Sequence, residues 1–272
     1  VSRGLGDVYK RQEVTSLGNG SEAIFGGSYS GTNITRTVVG EPMAHFYGYK
    51  TDGIFKDQAA VDAYNAKYNK NAQIGDVKFV NLNNDNVIDD NDKTNIGDGF
   101  PDFTYGFGFD GAYKGFDLSL FFQGVAGYDI FKAIDREGMF VRKSYNQFGE
   151  ILDRYHPVNN PGGSLPRVTF EDANGNSQMS DLYVENGNYL KLKNITLGYT
   201  LPKHISAKMG MQKLRFYVTA QNVFTITKYS GYDPELGETY ADTPDAYGVT
   251  ELAVDRLSLI HISEPTRHSL IS

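Results

Sequence analysis

The residues with the clearest chemical spacing are the twelve from Asn81 to Asp92, which have the spacing of a calcium-binding loop. A hard cation such as Ca²⁺ takes six or more oxygen ligands, and a loop of this length can wrap to supply them. Candidate side-chain ligands stand at positions 1, 3, 5, 9 and 12: Asn81, Asn83, Asp85, Asp89 and Asp92. The Val87 carbonyl would take position 7. The spacing predicts a Ca²⁺ ion that orders the loop and does not catalyse a reaction.

Two residues in this loop depart from the usual pattern. Asn81 stands where such loops carry Asp, and Asn86 stands where they carry the Gly of a sharp turn. Asn tolerates a positive φ better than most residues, so the turn can still form. The alternative is a solvated turn rich in Asn and Asp that holds no metal.

No other motif predicts an active site. Gly106–Gly111 matches G-x-G-x-x-G, but it lies in an alternating strand with no helix behind it to hold a pyrophosphate. We interpret that match as chance. His45, His156 and His204 have no partner at metal-ligand spacing and are expected at the surface or rim. Nothing singles out a carboxylate pair for glycoside cleavage, so we do not expect an enzyme.

Alternation of apolar and polar residues with a period of two is the main structural signal. It runs through Phe103–Asp110, Phe116–Gln123, Asn194–Leu201 and Leu214–Gln221, with a weaker fifth segment at His45–Tyr49. Each segment reads as a strand with one apolar and one polar face.

The polar faces supply the candidate functional residues. If the apolar faces contact lipid, the following side chains face a lumen: Thr104, Asp117, Gln123, Arg215, Thr219 and Gln221. Lys191 and Lys193 share the parity of the apolar face, so we expect them at the membrane rim, reaching toward the headgroups.

The connections between the strands alternate between short and long. Gly111–Gly115 and Pro202–Lys213 are short, whereas about fifty polar residues precede Phe103 and about sixty follow Gly124. Such long loops are uncommon in compact domains, but outer-membrane barrels combine short periplasmic turns with long extracellular loops. We predict an all-β fold, a partial antiparallel transmembrane β-barrel that is open in this chain. The alternative is a secreted β-sandwich module that binds glycans.

Composition excludes some classes of function. The 272 residues carry a net charge of -7, without a basic cluster, which argues against a nucleic-acid partner. The sequence contains no Cys, so a disulfide framework and a Cys-based zinc site are both excluded. No run of about 18 apolar residues occurs, but barrel strands would not produce one.

Several motifs share the order and spacing of one family of proteins. In chain order they are Gly40–Pro42, Phe46–Tyr49, Asp52–Phe55, Ile96–Phe107, Phe121–Gly124, Asn188–Pro202, Leu214–Phe224 and Lys228–Glu235. Together they resemble the C-terminal signature of SusC/RagA-type TonB-linked receptors of the Gram-negative outer membrane. The resemblance covers nearly everything from about Gly40 to Gly248.

This resemblance implies a transporter surrounded by outer-membrane lipid. Such receptors have an N-terminal plug, receive energy through the TonB complex, and import oligosaccharide or peptide with a SusD-like surface lipoprotein. The resemblance places the plug and the TonB-contacting segment upstream of Glu13, and a closing strand after Gly248.

The two ends of the chain have an unusual relationship. Ser2–Gln12 and Leu257–Arg267 can be translated from the two strands of one DNA segment, which resembles a transposase adapter. We therefore expect residues 1–12 and 257–272 to be adapter-derived and residues 13–256 to be barrel sequence from a longer gene.

Overall fold

The computed structural model describes residues 13–17, 20–29, 32–133, 135, 149–231, 233–235 and 254–255. The expected adapter-derived ends lie outside these ranges, as does most of the region expected to hold a closing strand. The described strands are β1 Ala23–Tyr29, β2 Thr32–Val38, β3 His45–Tyr49, β4 Thr51–Ile54, β5 Val77–Phe79, β6 Lys93–Gly97, β7 Phe103–Tyr113, β8 Phe116–Ala126, β9 Asp129–Lys132, β10 Val184–Asn186, β11 Tyr189–Thr200, β12 Arg215–Thr227 and β13 Val254–Asp255. The described helices are α1 Gln58–Tyr68 and α2 Lys203–Lys208, with 3-10 turns at Asp90–Asp92, Gly149–Asp153 and Asp181–Tyr183. None of these helices has both the length and the apolar character needed to cross a membrane.

The four longest strands form one antiparallel sheet in the order β12-β11-β8-β7. They contain 11 to 13 residues each and include the four segments predicted from alternation, except for Leu201 and Leu214, which lie just outside β11 and β12. We call this sheet the long sheet. Both short connections lie at one of its ends, and the long connections lie at the opposite end. Its outer strands β7 and β12 have no further partner within the described ranges, so the sheet is open there.

The β7–β8 turn is tighter than the five residues predicted. Only Lys114 and Gly115 lie between the strands, both with positive φ (47° and 90°). Two such residues match the twist of a hairpin, and Gly adopts this conformation without steric cost. A Cβ on Gly115 would stand 2.8 Å from the Thr200 carbonyl oxygen, so a larger residue would push against β11.

The remaining strands form three smaller sheets beside the long connections. β1-β2-β3-β6 is antiparallel, β4 pairs with β5, and β9 pairs antiparallel with β10 and parallel with β13. The fifth predicted strand, His45–Tyr49, is therefore present, but it belongs to a different sheet from the other four.

Two separate hydrophobic cores lie in the regions read as polar loops. The first core contains Ile34, Phe46, Val125, Tyr128, Ile130, Phe131, Ala133, Met179, Tyr183, Tyr189 and Tyr229. The second core contains Tyr49, Phe55, Val61, Tyr64, Ala72, Val77, Phe79 and Ile88. The long connections are thus folded units. Their aromatic and aliphatic residues are scattered along the sequence, but the fold brings them into contact in these two cores.

Helix α1 contributes to the second core and is delimited at both ends. The Asp57 carboxylate accepts a hydrogen bond from the Ala60 N–H at 2.8 Å, which satisfies one of the free donors at the helix start. Asn69 ends the helix in the left-handed conformation with φ 50°. Val61 and Tyr64 form its buried side.

His45 corrects the expectation that the histidines lie at the surface. Its side chain is fully buried, with Nδ1 3.0 Å from the Pro42 carbonyl oxygen and Nε2 3.0 Å from the Glu41 carboxylate. His204 is exposed in α2, and His156 is partly exposed. The sequence did not reveal that the His45 ring is buried and contacts Pro42 and Glu41.

Candidate functional site: the two faces of the long sheet

One face of the long sheet is apolar and exposed along most of its area. Residues opposite each other on paired strands share a face, and the register pairs Phe107 with Phe122, Leu118 with Leu197, and Leu197 with Val218. The rings of Phe107 and Phe122 stack with centroids 4.9 Å apart. Phe109 and Val218 are 58% and 74% exposed. Contiguous apolar surface on this scale marks a contact with lipid or with another protein.

The opposite face carries all six residues that the sequence analysis assigned to a lumen. Thr104 lies on β7, Asp117 and Gln123 on β8, and the other three on β12: Arg215, Thr219 and Gln221. The register places them together, because Asp117 is opposite Gly198, Gln123 is opposite Lys191, and Thr196 is opposite Thr219. The hydroxyls of Thr196 and Thr219 are 2.9 Å apart. That this polar face borders a lumen is a proposal taken up below.

An ion pair crosses this polar face near the end that carries the two short connections. Arg215 on β12 donates from Nε to Asp117 Oδ1 on β8 at 3.0 Å, and from Nη2 to Oδ2. The two side chains meet above Gly198 of the intervening strand β11. A Cβ on Gly198 would stand 2.5 and 2.6 Å from their atoms, so the missing side chain leaves the space for the pair.

A β-bulge in β11 changes the face of two lysines. The register shifts between Leu192 and Asn194, which leaves Lys193 unpaired and reverses the parity of the strand. Lys191 therefore shares the polar face with Gln123, and it is 2% exposed. The prediction that Lys191 and Lys193 lie at the lipid rim is wrong. It assumed uninterrupted alternation from Ile195 back to Lys191, and the bulge interrupts that alternation.

Both lysines bind a segment that follows β12. We call residues 229–231 and 233–235 the strap. Lys191 donates to the Asp233 carboxylate at 2.8 Å and to Glu235, and Lys193 lies 2.6 Å from Glu235. The Tyr128 hydroxyl donates to the Pro234 carbonyl at 2.6 Å. Tyr229 packs into the first core, so the strap covers the polar face at its loop end.

Charge and burial act in opposite directions on Glu235. Burial raises its pKa, but hydrogen bonds from Lys191 and Lys193 outweigh this effect, and the pKa falls below its ordinary value of 4.5. Glu235 is therefore an anion at neutral pH, and it forms ion pairs with both lysines.

A second buried lysine, Lys132, ties the start of the strap to the loops. Its ammonium donates to the Ser230 hydroxyl at 2.7 Å and lies 3.0 Å from Asp135 and 3.6 Å from Glu185. Burial raises the pKa of Asp135 to about 6, although Lys132 opposes that shift. Sequence reasoning missed this cluster, because Lys132, Glu185 and Ser230 are far apart in the chain and follow no motif.

The predicted calcium loop is ordered by its own side chains. Asn81 donates from Nδ2 to the carbonyl oxygens of Asp85 and Val87 at 2.9 and 2.8 Å, and to Asp85 Oδ1 at 3.1 Å. Asn83 donates from Nδ2 to Asp85 Oδ2 at 2.8 Å. Three predicted ligands, Asn81, Asn83 and Asp85, are thus together with the Val87 carbonyl.

The other two predicted ligands, Asp89 and Asp92, make different contacts. Asp89 accepts a hydrogen bond from the Asn91 N–H at 2.8 Å and begins the 3-10 turn. Asp92 is fully buried and accepts from the Leu82 N–H at 2.7 Å and the Asp89 N–H at 3.0 Å. Within the described ranges no cluster of three or more His, Cys, Asp or Glu is arranged to hold a metal ion. This arrangement fits the ion in part only, since the Asn81 amide nitrogen stands where three oxygens converge.

The fold places the glycine-rich segment Gly106–Gly111 inside strand β7. The strand then turns directly into β8, and no helix follows it. Gly106 and Gly108 lie opposite Gln123 and Phe121, where a Cβ would contact the Phe121 ring at 3.4 to 4.0 Å.

Comparisons with known proteins agree with this architecture. The chain is 33% identical over 196 residues to TonB-dependent receptor P3 of Formosa agariphila, covering 72% of this chain and 19% of that protein. It is 31% identical over 205 residues to TonB-dependent receptor P26 of the same organism, covering 75% and 20%. It is 26% identical over 238 residues to TonB-dependent receptor SusC of Bacteroides thetaiotaomicron, covering 84% and 21%. No family model matches the chain.

Solved structures give the same result at the level of fold. The RagAB peptide transporter matches with a TM-score of 0.60 and 23% identity over 82% of this chain and 23% of the matched chain. The RagAB peptide importer in its open-open state matches with a TM-score of 0.60 and 25% identity over the same shares. The predicted all-β class is confirmed, and the sandwich alternative is not favoured.

The long two-faced sheet, the connections at its two ends and these relatives define the chain as part of a TonB-dependent receptor. Within that class it is of the SusC/RagA type. The chain spans about a fifth of the length of the curated relatives it matches.

Proposed function

We propose that the long sheet is a length of transmembrane wall in an outer-membrane importer of a Gram-negative bacterium. The observation that carries this proposal is the exposed apolar face of strands that are 11 to 13 residues long. Tilted strands of about 9–11 residues suffice to cross a bilayer. In the described part of the chain no second sheet packs on this face, which a sandwich would require.

The polar face then borders the lumen, with Thr104, Asp117, Gln123, Arg215, Thr219 and Gln221 exposed to water or solute. The free edges of β7 and β12 pair with neighbouring strands of the complete barrel, because an unpaired edge cannot remain in lipid. The two short connections lie on the periplasmic side, and the two cores lie outside the cell.

For the complete receptor we propose energy-coupled import of oligosaccharide or peptide, without catalysis. The names of the relatives support this proposal, since they include TonB-dependent receptors and a peptide transporter. The partners proposed on the same basis are the TonB complex, reached through another part of the receptor, and a SusD-like lipoprotein on the extracellular side.

Cysteine accessibility tests the assignment of the two faces. This chain brings no native cysteine, so Val218→Cys and Thr219→Cys can be compared at adjacent positions in the full-length receptor. In intact outer membranes a charged maleimide should label Thr219→Cys, and Val218→Cys should react only with an apolar reagent. Equal labelling of both by the charged reagent, or a receptor that stays soluble without detergent, would falsify the proposal.

Calcium remains a second proposal, for the loop Asn81–Asp92 alone. The observation in its favour is the convergence of the Asp85 carboxylate and carbonyl and the Val87 carbonyl on one point. The Asn81 Oδ1 atom, by contrast, is buried without a hydrogen-bond partner. Reversing the Asn81 amide would turn that oxygen toward the same point, and the assignment of amide N and O is interchangeable in shape. The ion would stiffen the loop.

A further inference from the structure

A cavity of about 550 Å³ lies beside the second core. It is lined on one side by Gln58 at the start of α1 and by residues 72–74, and on the other by residues 154–157 and 167–168. A volume of this size suits a small ligand or the end of a longer one. Its polar lining consists of Arg154, Arg167, His156, Tyr155, Gln58 and Gln73. None of its lining residues is acidic, although the chain as a whole carries a net charge of -7.

Arg167 is held in place from behind by a buried carboxylate. It donates from Nε to Asp76 Oδ1 at 2.6 Å and from Nη2 to Asp76 Oδ2 at 3.4 Å. Asp76 is fully buried and also accepts from Asn176 Nδ2 at 2.9 Å and from the Gln73 N–H at 2.8 Å. These bonds fix the Arg167 side chain. The guanidinium has further N–H groups that do not donate to Asp76.

Arg154 supplies a charge that has no carboxylate partner among the residues that the structure describes. Its Nη1 donates to the Ile151 carbonyl at 3.2 Å. Among the described residues no carboxylate lies within ion-pair distance of it. Since Asp76 balances Arg167, the described part of the cavity has one positive charge without a carboxylate partner, which an anion would complement.

His156 and Tyr155 add a donor and an aromatic wall. The His156 Nδ1 accepts from the N–H groups of Val158 and Asn159 at 3.2 and 3.0 Å. The neutral ring therefore carries its proton on Nε2, which is a donor. The Tyr155 ring lies directly against Gly75, where a Cβ would overlap it. The ring position thus depends on that glycine.

We propose that this cavity binds a carboxylate-bearing solute, with Arg154 as the main charge partner and Arg167 and the His156 Nε2–H as further donors. A planar carboxylate can accept two parallel N–H bonds from a guanidinium. Acidic peptides and uronate-containing oligosaccharides both carry this group. The proposal concerns the folded loops alone and does not depend on the long sheet crossing a membrane.

The test measures binding to the full-length receptor purified in detergent. One arm compares an acidic peptide with its amidated Gln counterpart, and the other compares a uronate oligosaccharide with its neutral hexose counterpart. We expect the acidic member of one pair to bind about tenfold or more tightly than its neutral partner. The arm that responds identifies the source of the carboxylate.

Variants locate the effect at the cavity. Arg154→Gln should weaken binding of the acidic ligand about tenfold or more. Arg154→Lys should retain only part of the affinity, because lysine keeps the charge but lacks the paired N–H groups. Lys208→Gln, the same charge change on exposed α2, should leave binding unchanged. Gln73→Glu provides a second test that keeps both arginines, and its new like charge should weaken binding to a similar degree. Three results would overturn the proposal. They are binding that does not distinguish acidic from neutral ligands, no binding in either arm, and unchanged binding in both Arg154→Gln and Gln73→Glu.

Discussion

Arg215 and Asp117 form an ion pair across an entire strand, from β12 to β8, above Gly198 of β11. The pair connects strands that share no backbone hydrogen bonds. It therefore adds a cross-link to the polar face that the sheet ladder alone does not provide.

Gly198→Ala should break this ion pair. The new Cβ would stand 2.5–2.6 Å from both partners, and flexible side chains will move before the backbone does. Because both partners are exposed, we expect the unfolding temperature of the receptor to fall by less than about 3 °C. Adding Asp117→Asn to Gly198→Ala should then have almost no further effect. The unfolding temperature is measured from the heat-modifiable gel shift. If the two changes lower that temperature additively, the ion pair persists beside the added methyl group.

Val218→Lys should block assembly into the outer membrane. A lysine on a lipid face costs about 2–4 kcal/mol near the middle of the bilayer. Thr219→Lys is the matched control, because it adds the same charge to the adjacent residue on the polar face. The measurement is the fraction of receptor that is membrane-inserted and heat-modifiable. If both variants assemble equally well, the faces have been assigned wrongly.

Lys191→Met should detach the strap from the polar face. The change removes the ammonium shared by Asp233 and Glu235, and breaking a buried ion pair costs about 3–5 kcal/mol. We expect the lower end of that range, since the Asp233 side chain is 37% exposed. Hydrogen exchange of the strap amides should rise, whereas Lys228→Met on the exposed neighbouring residue should not change it. Unaltered exchange in Lys191→Met would mean that the strap is held by other contacts.

Acid should loosen the same strap. The folded pKa of Glu235 lies below its ordinary value of 4.5, so its contribution to stability is present above that pH and is lost as the pH falls through the lowered pKa. We expect strap protection, corrected for intrinsic exchange rates, to stay constant from neutral pH to about pH 5 and then to decline. Glu235→Gln should remove most of this pH dependence. A decline centred well above pH 5 would point to a different group.

Calcium should bind the Asn81–Asp92 loop weakly, with a dissociation constant of about 0.1–1 mM, as in extracellular modules. Isothermal titration of the full-length receptor measures it. Asp85→Ala should abolish the heat, because it removes the carboxylate ligand and also releases the Asn81 and Asn83 side chains that the carboxylate holds. Asp62→Ala on exposed α1 is the control. Absence of calcium heat in the unaltered receptor would leave the loop as a turn held by Asn and Asp side chains.

Alternation predicted the long strands and their faces, because side-chain direction in a strand is set by local geometry. It failed at Lys191, where one extra residue reversed the parity. The sequence does carry the signal of that bulge. Leu190 and Leu192 stand at even positions, whereas Ile195 and Leu197 stand at odd ones. A change of parity inside one apolar run is what an inserted residue produces.

The contacts that organise the loops could not be predicted from the alternation of residues in the sequence. Arg167 and Asp76 are 91 residues apart, and Lys191 and Asp233 are 42 apart. Such pairs depend on which segments the tertiary fold brings together, and neither residue type nor spacing identifies the partner. The cores were hidden for the same reason, since most of their members are isolated apolar residues within polar stretches.

The bulge at Lys193 also divides β11 into two parts that can evolve separately. Residues on the Asn194 side keep the alternation that the wall requires, whereas those on the Tyr189 side are constrained by the first core and the strap. Substitutions in the loops on the Tyr189 side can therefore accumulate without disturbing the strand register on the Asn194 side. Under the proposed function, the part of the receptor that selects a solute could change while the transmembrane wall keeps its pairing.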